Sequence, residues 1–130
     1  AFGDDFPHGA YLPHNMGTNA VVYTGTHDNN TVIGWFRREA GRKEKARLSA
    51  YLGKRVRSRD LHWDFIRLAM MSPANTAVIP LQDILGLGEQ ARMNNPAGGG
   101  GNWRWRLAPD GIPNYARRKL EAMTATYGRK

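Results

Sequence analysis

Residues 20–30 read AVVYTGTHDNN, and residues 76–83 read TAVIPLQD. Both are short runs of Ala, Val, Ile, Thr and Tyr that break at a glycine or proline and continue into polar side chains. Such runs predict strands buried on both faces, Ala20 to Thr24 and Thr76 to Pro80. Between them the chain reads as helices. Asn30 can cap a helix starting near Thr31, with Ile33, Phe36 and Trp35 on its inner side. Gly41 ends that helix, and a basic one covers Glu44 to Leu52 before Gly53. Asp60 opens a third, with Leu61, Phe65 and Leu68 on one face and Ile66, Ala69 and Met70 widening it. Ser72-Pro73 stops it, because a residue before proline avoids helical angles.

Outside this unit the pattern is looser. Residues 1–19 carry Gly3, Pro7, Gly9, Pro13, Asn15, Gly17 and Asn19 and read as an extended loop. Residues 86–102 form a loop rich in glycine and asparagine. Pro113 to Tyr127 predicts a closing amphipathic helix with Tyr115, Leu120 and Met123 inside. The order loop, strand, helices, strand, loop, helix predicts an α/β fold with parallel strands and helical crossovers. Two strands make a poor sheet, and a sheet meant to be buried on both faces needs neighbours. The chain is therefore expected to be a piece of something larger. The start at AFGDDFPHG, with neither an initiator Met nor a signal-peptide pattern, adds the expectation that the natural N-terminus is missing.

The 130 residues fit one domain and are enough to bury a core. No apolar run approaches the roughly 18 residues of a membrane span. There are no cysteines, which removes disulfide and thiolate chemistry and fits a reducing, cytoplasmic setting. The net charge of +8 raises nucleic-acid binding. Yet the segment from Arg37 to Arg59 holds ten basic residues against Glu39 and Glu44, so it carries the whole surplus. Leu48, Tyr51 and Leu52 recur there at helical spacing, so the surplus reads first as the solvated face of surface helices. A polyanion-binding patch is the alternative reading.

The polar groups after the two strands carry the chemistry, because C-terminal strand ends are where α/β folds place their sites. His27, Asp28 and Asn29 occupy one end, Gln82 and Asp83 the other. A carboxylate fixed there can ligate a metal, act as acid or base, or hold sugar hydroxyls. Two plainer readings stay open: Asp28 or Asn30 as a helix cap, and His27 as a structural histidine. Metal binding lacks a second histidine one helical turn away. By topology alone, Asp28 and Asp83 form a candidate two-carboxylate glycosidase pair. In NNPAGGGGNWRWR there is no GK[ST], which argues against a phosphate loop. Trp103 and Trp105 alternate there, either as core or as a flat platform for a ligand such as a sugar ring.

Four motifs in order, TGTHDNN with a following Gly-Trp pair, SPANTAVIPLQDILGLG, EQARMNNP and GNWRWR, resemble one family. It is that of the 4-α-glucanotransferases, the amylomaltases or disproportionating enzymes of glycoside hydrolase family seventy-seven. The resemblance runs from about Tyr11 to Leu107. It implies that residues 1–130 are the C-terminal part of a single catalytic (β/α)8 TIM barrel, contributing its last two strands and associated helices. A whole barrel typically takes about 250 residues. The implied reaction is retaining transfer of α-1,4-glucan segments to the 4-hydroxyl of an acceptor glucan, maltooligosaccharide or glucose. No metal or organic cofactor, membrane or nucleic acid is implied.

In this family an aspartate nucleophile and a glutamate acid/base lie on earlier strands, which would fall upstream of Ala1. Asp28 matches a third carboxylate that grips hydroxyls at the cleavage site, and His27 matches a neighbouring sugar-binding histidine. Asn94, Asn95 and Pro96 fall in the loop bordering the glucan groove. Asn95 stands where a threonine is common, and Ala97-Gly98 where Gly-Thr is common. Trp103 and Trp105 match family tryptophans, and Asp83 becomes a structural carboxylate. The 130 residues alone are expected to lack transferase activity and to expose apolar strand surface. A stand-alone glucan-binding module and a basic nucleic-acid-binding domain are the competing functions.

Overall fold

The computed structural model describes residues 1–98 and 100–129. Two strands, β1 (Val21–Tyr23) and β2 (Thr76–Val78), pair in parallel with Val22 opposite Ala77. A parallel pair needs a long crossover, and three helices supply it: α1 (Val32–Arg38), α2 (Arg42–Leu52) and α3 (Leu61–Met71). A one-turn helix, α4 (Leu81–Ile84), follows β2, and α5 (Asn114–Thr126) closes the chain. The α/β expectation holds. Among the described residues no helix is long and apolar enough to cross a membrane.

The centre of the molecule is α3, apolar on more than one side and therefore packed on more than one side. Its Leu61 joins Phe2, Leu12, Val32, Ile33 and Leu48 in one cluster. Trp63, Ile66 and Met70 meet Ala116 and Met123 of α5 in a second. Ala69 meets Val22 and Ala74 in a third, which fixes the sheet on the helices. Leu12, Leu48, Leu61 and Ile66 have no exposed surface, and each such side chain contributes about 1.5–3 kcal/mol by burial. The N-terminal stretch is more than an extended loop. Phe2 and Leu12 reach the core, Asn15 donates to the carbonyls of Pro7 and Gly9, and Arg47 donates to those of Phe2 and Gly3.

Several stops fall where chain chemistry puts them. Gly53 ends α2 at φ +63, and Ser72 before Pro73 ends α3 in extended geometry. The cap of α1 is a correction: Thr31, not Asn30, accepts from the Gly34 amide at 3.0 Å. The Asn30 amide instead donates to Glu39 Oε1 at 2.8 Å. Asp60 occupies the cap position of α3 without a side-chain bond. On α5, Tyr115 is 59% exposed and Ala116 takes the inner position. Past α4, Gly86 at φ +63 lies against His62, whose ring would stand 2.7 Å from any Cβ there. Burial and Lys119 push the His62 imidazole below its ordinary pKa.

The expectation of strands covered on both faces needs correcting too. Val22 is buried against the helices, but Val21, Tyr23 and Val78 point the other way and stay 42–49% exposed. Helices pack on one face of this sheet, and among the described residues no helix packs on the other.

Part of the basic surplus is spent internally. Arg38 lies 3.5 Å from Glu89, Arg47 3.6 Å from Asp4, and Lys54 2.5 Å from Asp64.

Candidate functional site

The polar cluster stands where β1 runs out. Asn29 closes the turn: its side-chain oxygen accepts from the amide and hydroxyl of Thr26 at 2.8 and 2.9 Å. An Asx side chain bonded back to its own turn is a common way to fix such a corner. His27 and Asp28 are left at the tip, half exposed. With Thr31 capping α1, the Asp28 carboxylate is spared that task.

A second segment meets this tip from 64 to 66 residues away. Asn94 Nδ2 donates to Asp28 Oδ1 at 2.5 Å, and the Asn94 amide donates to the His27 carbonyl at 3.1 Å. His27 Nε2 lies 3.3 Å from the same Oδ1. Among the described residues no hydrogen bond reaches Oδ2. The carboxylate is thus held through one oxygen, and the other keeps its capacity to accept hydrogen bonds.

Arg92 fastens the two segments. Its Nη2 donates to the Asp28 carbonyl at 2.8 Å and its Nε to the Asn94 carbonyl at 2.8 Å. Nη1 reaches Glu39 Oε1 at 3.4 Å. Glu39 does not stand out in the sequence, and although Arg92 falls within EQARMNNP, nothing in that motif assigns it a bracing role.

Of the other residues singled out by sequence, Asn95 belongs to the loop's own frame. Its amide donates to Asn102 Oδ1 at 2.9 Å, and its side chain lies against Gly98. Pro96 is exposed in the same turn. Trp103 is not core. It is 53% exposed, with its ring centroid 5.2 Å from that of His27. Its φ of +64 is left-handed, unusual for a non-glycine residue. That angle breaks the alternation with Trp105, which is only part-buried.

Beside the tip lies a cleft of about 200 Å³, lined among others by Thr26, His27, Gln82, Asp83, Arg92 and Trp103. Asp28 stands at its rim, next to two of the lining residues, and does not itself line it. Asp83, 2% exposed, is occupied elsewhere. It accepts from Thr24 Oγ1 at 2.6 Å and from the Val32 amide at 2.8 Å. Burial pushes its carboxyl above the ordinary aspartate range, against the pull of those two bonds. The pairing of Asp28 with Asp83 as two working carboxylates fails on this ground. Among the described residues no three His, Asp or Glu side chains gather as a metal-ligand set.

Residues 1–111 match the family model described as 4-alpha-glucanotransferase. The 4-alpha-glucanotransferase of Synechocystis sp. is 47% identical over 92% of this chain and 24% of its own length. That of Thermus thermophilus is 44% identical over 92% of this chain and 25% of its own length. A solved structure, an amylomaltase from Streptococcus agalactiae in complex with acarbose, superposes with a TM-score of 0.88. It is 30% identical and covers 98% of this chain and 26% of that one. The chain therefore spans about a quarter of the length of the relatives it matches.

Proposed function

The chain belongs to the 4-alpha-glucanotransferase family, and from that premise we propose that it forms part of an enzyme that transfers α-1,4-glucan segments to the 4-hydroxyl of an acceptor glucan or glucose. In this reading the 130 residues are the C-terminal part of a (β/α)8 barrel and supply its last two strands. The uncovered apolar face of Val21, Tyr23 and Val78 supports it, since a closed barrel fills its interior with such side chains. The acarbose in the solved relative supports a saccharide ligand. A cytoplasmic setting belongs to the same proposal and is supported by the absence of cysteine.

Within that enzyme Asp28 binds hydroxyls of the sugar at the cleavage point, with His27 and Asn94 beside it. The nucleophile and the acid/base come from other parts of the barrel. In a retaining site those two carboxyls stand about 5–5.5 Å apart across the scissile bond. A third carboxylate accelerates the reaction only if its grip tightens as the ring flattens towards the oxocarbenium-like state. The observation that carries this role is the division of labour at Asp28: Oδ1 is held by Asn94 and His27, and Oδ2 is open.

The test is to replace the matching quarter of the Synechocystis relative with these 130 residues and follow disproportionation of maltotriose. Asp28→Asn should lower kcat by about 10²–10³-fold, the usual cost of one contact made in the transition state. KM should move little. Turnover equal to wild type would reduce Asp28 to a loop residue.

A further inference from the structure

We propose that Arg92 is the positioning residue of this site, one guanidinium that ties three segments together and so sets where Asp28 and Asn94 stand relative to each other. The inference rests on the reading of Asp28 given above. Guanidinium presents its N–H donors in a rigid planar fork, and here three directions of that fork are in use. One goes to the backbone of the turn after β1, one to the backbone beside Asn94, and one to Glu39 at the end of α1. Asp28 and Asn94 thereby close a ring. Arg92 holds the carbonyl of each, and their side chains hold one another.

The third leg gives the ring a fixed base. Glu39 Oε1 also accepts from Asn30, and the Asn30 side chain is pressed onto α1 at Gly34, where an added Cβ would come within 2.0 Å of Asn30 Oδ1. The guanidinium is thus referenced to the body of α1, whereas the Asp28–Asn94 bond alone would join an exposed side chain to a part-buried one. The Arg92 side chain is 19% exposed, far less than either His27 or Asp28. Three of its N–H donors are taken up by the protein, although the side chain also lines the cleft.

A lysine at this position keeps the charge and loses the fork, which separates positioning from electrostatics. In the full-length graft described above, Arg92→Lys should lower kcat by about 10²-fold, the scale of loss from misplacing a working group by an ångström. KM should change by less than about threefold, and hydrogen exchange at the Asn94 amide, which bonds to His27, should speed up. Added guanidinium ion should restore part of the activity of Arg92→Ala and none of that of Asp28→Asn. Glu39→Gln, on an exposed side chain, guards against a variant that fails to fold. It should lower kcat a few-fold at unchanged KM and also speed Asn94 exchange. Wild-type kcat in Arg92→Lys, or unchanged Asn94 exchange in both variants, overturns the proposal. Full activity in Asp28→Asn would sink the catalytic reading instead, and Asn94 exchange would still decide for or against the Arg92 tie.

Discussion

Asp28 and Asp83 each follow a parallel strand by a few residues, and they have opposite fates. The Asp28 side chain is 48% exposed and its partners are two other side chains, Asn94 and His27. Asp83 is 2% exposed and spends both oxygens on the protein itself, joining the end of β1 at Thr24 to the start of α1 at Val32. A place at a strand end offers the opportunity for chemistry, but the donors already bonded to a carboxylate decide whether it is used. A satisfied, buried carboxylate holds the fold. One held by a single oxygen can do work on a ligand.

The largest effect that could break this contrast is catalytic. Asp28→Asn should cost about 10²–10³-fold in kcat while shifting stability by no more than about 0.5 kcal/mol, as for other surface changes. Asp83→Ala should do the reverse. A buried and a part-buried donor lose their acceptor at about 1–3 kcal/mol each, so urea unfolding should show a loss of about 3 kcal/mol. The folded fraction should keep its specific activity. Asp83→Asn should cost less, about 1 kcal/mol, because one oxygen remains to accept from Val32 and the Thr24 hydroxyl can rotate to accept from the new amide. A stability loss larger in Asp28→Asn than in Asp83→Ala would erase the distinction.

The two residues should also differ in pH dependence. The folded pKa of Asp83 is raised by burial, so the folded chain binds more protons than the unfolded one in the window above the unfolded value of about 3.9. Stability from this group is therefore lost as pH rises from there through the raised folded pKa. The melting temperature of wild type relative to Asp83→Asn should fall across that window and level off above it. An effect as small as that of Asp83→Asn is expected of Thr24→Val, near-isosteric, which removes one donor to Asp83 at about 1 kcal/mol. A double-mutant cycle with Asp83→Asn should show coupling, as residues in direct contact do.

How far the chain could be read in advance follows from where each signal lies. The strands, the long helices and the stops at Gly53 and Ser72-Pro73 rest on neighbours within one or two turns, and they were legible to within a few residues. On α5 the sequence points to Tyr115 as an inner residue, one position from the Ala116 that is buried. Ala116 shares a face with Leu120 and Met123 at i, i+4 and i+7, but its methyl group gives little hydropathic signal beside the larger Tyr115 next door. The two tryptophans alternate in sequence, and a single left-handed angle at Trp103 cancels that alternation in space.

The strands read as covered on both faces for a different reason. Val21, Tyr23 and Val78 have the composition of covered positions, and what would cover them does not lie in these residues. The motif around His27 and Asp28 was visible, but its bracing was not. Arg92 and Asn94 meet Asp28 across more than sixty residues, with no spacing rule to announce it. Arg129 likewise gives no local sign that it donates to the carbonyls of Ala69, Met70, Ser72 and Ala74 at the end of α3.

The central claim is that Asp28 faces a saccharide and Asp83 does not. Carbon-13 carboxyl resonances of the two aspartates, followed in the full-length graft while a maltooligosaccharide is titrated in, test it most directly. The account predicts that the Asp28 carboxyl shifts in a saturable way, together with the Asn94 side-chain amide, while Asp83 stays in place. A silent Asp28 at saturation, or a shift carried by Asp83 alone, would contradict it.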